Sequence, residues 1–342
     1  MSAMIPSHER DRPTRWPLLA ALVLLAVGSI VGCAQLNEFL APAAPAVAGK
    51  WPTLLEELRS FEQRIGFRAT RNFAKVAADR TSFPYCGRAS NRSLPYSYQD
   101  RRIEWPEIEQ EEVCRSVDAD IDVYFGKAEA WGEIGTPLTA AMLASTLDRF
   151  VYLVIHEDCH DQFELPYGIE EPLCDLITHR AMAQFSSEKF RWYATENRAL
   201  KHYGRSQAKH ARMAIAHYER TAALYQRFER GELTHANLLE LRARDFARAE
   251  RDLNIEAGQL NNIGLANFMT YSRHYPALER IVEPWGADLS GMIEFFRLVD
   301  ARKPSAQEML KRLGATDAKH ADFLRAYEAA VLDTIRAAAS SR

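Results

Sequence analysis

Residues 155 to 163 read Ile-His-Glu-Asp-Cys-His-Asp-Gln-Phe, so two imidazoles stand four positions apart with a carboxylate directly after the first. On a helix, positions i and i+4 lie one above the other on one face, which lets His156 and His160 aim a ring nitrogen at a common point. One zinc ion fits such a pair, and Glu157 is placed to take a proton from a water held there, as in zinc peptidases. Two surface histidines on a solvated helix would give the same five-residue pattern, so the surroundings decide. Thr136-Pro137 offers an N-cap type residue and a proline suited to a first helical position. Apolar Leu138, Met142, Leu147, Val151, Val154 and Ile155 then follow at largely helical spacing, with no glycine or further proline before Pro166. The pattern predicts one mostly buried helix from Thr136, with both histidines on its last turns.

A catalytic zinc site takes three protein ligands. The third is expected from Gly168-Ile169-Glu170-Glu171-Pro172. Pro172 disfavours helical geometry at the residue before it and suits a first helical position, which puts Glu171 at the N-cap of a helix running towards Phe185. Glu171 is the expected ligand and Glu170 its competitor; alternatively both carboxylates only complement the helix dipole. Asp175, four residues past Glu171, would share its face and could accept a hydrogen bond from the far nitrogen of a zinc-bound histidine.

Further segments extend the pattern: Asp120-Ile121-Asp122-Val123-Tyr124, Ala128-Glu129-Ala130-Trp131-Gly132 with Thr136-Pro137-Leu138, Ile169-Glu170-Glu171, and Leu260-Asn261-Asn262 with Thr270-Tyr271. In this order they resemble a family of bacterial lipoproteins predicted to be aminopeptidases, whose zinc site is similar to that of thermolysin-like gluzincins. Residue by residue, the resemblance implies His156, His160 and Glu171 as ligands of one zinc ion and Glu157 as general base, in a zincin-like metallopeptidase core acting on peptides. It also favours Tyr271, ahead of His274, as the donor to a tetrahedral oxyanion, against the alternative of an aromatic core position. Residues 120–131 are the candidate for an edge strand that pairs with extended substrate, or are simply an internal strand. An aminopeptidase must also hold a free ammonium, for which Glu129 or Glu133 is available. The chain departs from the family at Asp158 and Cys159, where small or apolar residues are usual, and at Glu170, where an asparagine is. Asp158 would add negative charge near the metal.

Arg12 and Arg15 precede an apolar run that ends in Ile30-Val31-Gly32-Cys33. This reads as a lipoprotein signal peptide over 1–33, with Cys33 the lipidated residue, and the run is at the short limit for a spanning helix. Ala34 resembles the pattern that sends lipoproteins to the outer membrane. The expected address is therefore the bacterial cell envelope, lipid-anchored and facing the periplasm, with the bilayer as a partner through the acyl anchor. Residues 34–50 are rich in proline and alanine and read as a tether, leaving 51–342 as the zinc metallopeptidase domain.

Apart from Cys33 the cysteines form an even set, Cys86, Cys114, Cys159 and Cys174, which suits an oxidising compartment. A Cys159–Cys174 bridge would staple the two ligand-bearing helices and leave Cys86 with Cys114; the other connectivities and free thiols are the alternatives. With 43 basic against 46 acidic residues, a net charge of -3 and no basic stripe, nucleic acid is excluded as a partner.

The remaining pattern predicts a mainly α (α+β) chain with a small sheet. A helix pair around Gly66 is expected over 51–80, irregular chain with short strands over 81–118, and a strand from Ile121. A long helical hairpin is expected over 186–251, broken at Gly231 and capped by Thr234, then a helix opened by Asn261 and closing helices over 286–340. His202, His210, His217 and His235 fall on the hairpin with no accompanying carboxylate pattern and read as solvated or packing residues. The alternative function is a zinc-stabilised scaffold or binding protein without turnover, which a fourth metal position closed by Asp158 or Asp175 would mark.

Overall fold

The computed structural model describes residues 43–107, 114, 118–130 and 135–341. The expected signal peptide with Cys33, the start of the tether, and Glu133 lie outside the described residues. The chain divides into two units, Met1–Ala43 and Ala44–Arg342, of which the second is mainly helical.

Helix α1 (Trp51–Arg64) buries Leu54, Leu55, Leu58 and Phe61 and ends at Ile65, before Gly66 at a φ of 94° that glycine adopts without steric cost. No second helix follows before residue 80, so the expected helix pair is one helix. Its place is taken by turns and bends, in which Phe73 N–H donates to Thr136 O at 2.6 Å. Among the described residues four strands follow: β1 (Val76–Ala77), β2 (Phe83–Ser90), β3 (Ile121–Ala128) and β4 (Leu138–Thr139). β1 pairs in parallel with β4 and β2 antiparallel with β3, with Tyr85 opposite Gly126 and Gly87 opposite Tyr124.

The β1–β4 pairing moves the start of the helix that carries His156 and His160. The segment from Thr136 spends its first residues on β4 and on a short helix α2 (Ala140–Ala144), and Ser145 is extended. Only then does α3 (Leu147–His160) begin. The cause lies in residues 45–47: Val47 N–H donates to Ser145 O at 3.1 Å and Leu147 N–H to Pro45 O at 2.8 Å, so the Ser145 carbonyl and the Leu147 amide serve an edge contact instead of a helix. Val47 is buried there, which makes this last stretch of the expected tether part of the packed body.

Helix α4 (Tyr167–Lys189) starts directly after Pro166 and contains both Glu171 and Pro172, so neither stands at its N-terminus as expected. An internal proline forfeits one helical hydrogen bond. Full burial of Ile169, Leu173 and Ile177 on either side offsets that loss. The expected hairpin is α5 (Thr195–Glu229) and α6 (His235–Leu253), with Thr234 Oγ1 capping Asn237 N–H. Asn261 caps α7 (Asn262–Ser272), and α8 (Tyr275–Val282), α9 (Leu289–Arg302), α10 (Ala306–Leu313) and α11 (Ala321–Ser340) close the chain.

Helices α3 and α4 run through the main core, where α1, α8, α9 and α11 contribute Phe61, Leu278, Phe296 and Val331. A second apolar cluster joins the hairpin to α7 through Tyr225, Leu238, Phe246 and Leu265. Cys159 and Cys174 are bonded, Cα atoms 5.6 Å apart, and tie α3 to α4 beside the two histidines; Cys86 and Cys114 form the other bridge. Among the described residues no helix is long and apolar enough to cross a membrane.

Candidate metal centre

The last turn of α3 and the second turn of α4 bring three donor atoms together. His156 Nε2 stands 3.1 Å from Glu171 Oε2, His160 Nε2 stands 3.4 Å from the same oxygen, and the two Nε2 atoms are 3.2 Å apart. Donors about 2.0 Å from one tetrahedral zinc ion are separated by roughly 3.3 Å, so this near-equilateral triangle has the size that one ion requires. His156 is 4 % and Glu171 2 % exposed. Two imidazole nitrogens facing one another beside a buried carboxylate are costly unless positive charge lies among them. The donor chemistry, two imidazoles and a carboxylate, is that of zinc sites, and the residues present fit the ion.

Each histidine is held from behind by a carboxylate. Asp175 Oδ1 lies 3.2 Å from His156 Nδ1, at ion-pair distance but short of good hydrogen-bond alignment, and also accepts the Tyr152 hydroxyl at 2.7 Å. Glu170 Oε1 lies 2.8 Å from His160 Nδ1, while its other oxygen accepts Leu165 N–H at 2.8 Å. Glu170 is therefore turned to the back of His160 and Glu171 to the common point, because Glu171 lies one position further round α4. Such partners fix the tautomer and ring orientation of a ligand.

The charges are interlocked. Burial alone would lower the His156 pKa, but the Asp175 and Glu171 carboxylates facing its two ring nitrogens outweigh it and lift it to about 9. Burial opposes charge on His160 too, yet the Glu171 and Glu170 carboxylates raise it well above the usual imidazole range. Burial would raise Glu171, but His160 and His156 hold it far below the ordinary carboxylate range. In ion-free protein, protons on the imidazoles supply the positive charge that a metal would bring.

Glu157 is half-buried on the same turn. Burial raises its pKa above the usual carboxylate value, with the two histidines opposing. Thr136 Oγ1 stands 3.5 Å from its Oε2, the outer limit of a hydrogen bond. Tyr271 on α7 senses both Glu171 and Glu157; burial first, and then Glu171, keep its phenol protonated and so able to donate.

Two tyrosines at the site carry no part in the sequence pattern above. Tyr167 lies parallel to the His160 ring, with centroids 6.4 Å apart, and Tyr98 packs on Tyr167 at 5.0 Å. Both have raised pKa values, from burial first, with the Glu171 carboxylate adding to it. Tyr167 had a usable signal, since it precedes Glu171 by one helical turn. Tyr98 arrives from a distant loop and had none.

Other expected residues are engaged elsewhere. Asp158 turns to the opposite face of α3, where Thr70 Oγ1 donates to it at 2.5 Å and Asn72 Nδ2 at 3.0 Å, so it does not reach the point on which His156, His160 and Glu171 converge. His274 Nε2 is taken by the buried Glu328 carboxylate at 2.7 Å, which removes it as an oxyanion donor. Glu129 Oε2 accepts Arg149 Nε at 2.6 Å and is not free to hold an ammonium. Comparison with protein-family models, curated proteins and solved structures returned no match.

Proposed function

We propose that the chain is a zinc-dependent metallopeptidase with a zincin-like site, anchored to the bacterial envelope through Cys33 and facing the periplasm from the outer membrane; aminopeptidase activity is the narrower reading. The observation that carries the reaction class is the convergence of His156 Nε2, His160 Nε2 and Glu171 Oε2 within 3.4 Å of one another, each imidazole backed by its own carboxylate. His156, His160 and Glu171 would hold one divalent ion, which supplies Lewis acidity towards a peptide carbonyl and makes a nearby water more acidic.

The rest of the chemistry belongs to the chain. Glu157, on the turn between the two histidines, takes the proton from the attacking water and returns it to the leaving amine. Tyr271, held protonated, donates to the carbonyl oxygen as negative charge develops there. Asp175 and Glu170 keep both Nε2 atoms aimed at the ion by holding the Nδ1 sides. Asp158 and Asp175, which would close the metal position in a non-catalytic scaffold, both have other partners, and this supports the enzyme over that alternative.

The test is turnover by the purified, zinc-supplied protein on peptides with free and with blocked N-termini. Cleavage confined to free ends supports an aminopeptidase, cleavage of blocked peptides an endopeptidase. Glu157→Gln is expected to lower turnover by roughly 10²–10⁴-fold while zinc content stays at wild-type level. Unchanged turnover in that variant rejects the mechanism.

A further inference from the structure

Five aromatic rings run in unbroken contact from the candidate centre to the β2–β3 ribbon. Tyr167 lies over His160, Tyr98 packs on Tyr167 at 5.0 Å, Trp105 on Tyr98 at 5.8 Å, Tyr85 on Trp105 at 5.9 Å and Tyr124 on Tyr85 at 6.1 Å. None of the five is fully buried, and Trp105 is 36 % exposed. They come from α4, the loop after β2, β2 itself and β3, so no local packing rule lines them up.

Their seating is written into the glycines. In the ribbon Tyr85 faces Gly126 and Tyr124 faces Gly87. A Cβ on Gly87 would stand 2.9 Å from the Trp105 ring, one on Gly264 would stand 3.1 Å from the Tyr124 ring, and one on Gly126 would collide with the Tyr85 ring. None of these glycines has the positive φ that would itself call for glycine; what they provide is room for the rings. Trp105 Nε1 donates to Tyr98 O at 3.1 Å, and the Cys86–Cys114 bond fastens the chain beyond Trp105 to the residue after Tyr85. Aromatic rings laid over glycine stabilise ribbons, which accounts for Tyr85 and Tyr124. It does not account for an open Trp105, or for a track that continues onto a candidate metal ligand.

We propose that this track binds a large apolar or aromatic side chain of an extended peptide, a few residues away from the bond presented to the centre. An extended peptide advances about 3.3 Å per residue, so such a side chain reaches Trp105 while the reacting carbonyl lies at the triad. The ring faces offer flat apolar area, which selects aromatic and long aliphatic residues over charged ones. The identity of the occupant as a peptide rests on the metallopeptidase reading.

The test uses the purified chain carrying Glu157→Gln, so that peptides survive whether or not the wild type cleaves them. Fluorescein-labelled decapeptides of alanine and glycine carry either one Phe or one Ser, moved along the sequence, and binding is read by anisotropy. At the favoured position the Phe peptide is expected to bind about tenfold tighter or more. Trp105→Ala, at a partly exposed position, removes the preference with the melting temperature little changed, and Gly126→Ala weakens it by displacing the Tyr85 ring without deleting an aromatic. Equal affinity for the two peptides, or a preference that survives Trp105→Ala, overturns the proposal. So does Trp105-dependent binding of an N-acetylglucosamine tetramer with no preference for Phe. A wild type that cleaves nothing beside a Trp105-dependent Phe preference sinks the hydrolase reading and leaves the track; cleavage with no such preference does the reverse.

Discussion

Helix pairs α3–α4 and α5–α6 both carry several histidines, and only one pair turns them into a site. On α3, His156 and His160 converge on a single oxygen of Glu171, and their outer nitrogens are each caught by a carboxylate. On the hairpin His217 meets Asp252 at 3.0 Å with Arg220 pressed against it, and His235 meets Asn91, a separate partner in a separate place. The energetics differ in sign as well: α3–α4 lifts its imidazole pKa values, whereas burial and then Arg220 lower that of His217. A group able to hold a metal thus comes from convergence in a buried place, and not from the number of histidines.

The sharpest way to break the comparison is to remove the shared carboxylate. Glu171→Ala should abolish stoichiometric zinc binding and cost about 3–5 kcal/mol in the ion-free protein, because two protonated imidazoles lose their buried counter-charge. The matched hairpin change, Asp252→Ala, should leave zinc content unaltered and move stability by less than about 1 kcal/mol, since Asp252 is half-exposed. Calorimetric unfolding with metal analysis reads both, and equal effects would erase the distinction. Next, Cys159→Ser with Cys174→Ser opens a loop of 15 residues and should cost roughly 3 kcal/mol, with weaker zinc binding because α3 and α4 lose their staple.

Acidity separates the two regions by direction. A histidine with a raised folded-state pKa stabilises the protein fully below its unfolded value and loses that stabilisation as pH climbs through the folded one. With His156 at about 9 against an unfolded value of about 6.5, the ion-free protein should lose up to about 3 kcal/mol between pH 6.5 and 9. A zinc-saturated sample should not, because the metal replaces the protons. His217 works the other way, its contribution lost as pH falls below about 6.5, so His217→Gln should flatten only the acid limb. Melting curves across pH, with and without zinc, check both limbs. Asp175→Asn should weaken zinc binding about 10–100-fold through a mis-set His156 ring, as competition with a chelator would report.

Much of the centre was legible because it is local. Positions 156, 157, 160 and 171 sit on two consecutive helices, where an i, i+4 pattern and one nearby carboxylate suffice. The same periodicity could have placed Asp158 correctly, since a residue two positions after His156 faces nearly the opposite way. Helix boundaries were less legible. Thr136-Pro137 looks like a helix start, but residues 76–77 pair with Leu138 and Thr139 and residues 45–47 take backbone groups of Ser145 and Leu147, and that competition is long-range. Pro172 looks like an N1 proline, yet core burial carries α4 straight through it. His274 and Glu129 were lost to Glu328 and Arg149, partners distant in sequence or placed by tertiary packing. The aromatic track joins four segments and left only its glycines as a trace.

Anomalous diffraction at the zinc edge on crystals of the purified protein tests the three-ligand centre most directly. One strong peak is expected about 2.0–2.2 Å from each of His156 Nε2, His160 Nε2 and a Glu171 oxygen. A peak bound elsewhere, or zinc-soaked crystals with none at these three atoms, would contradict it.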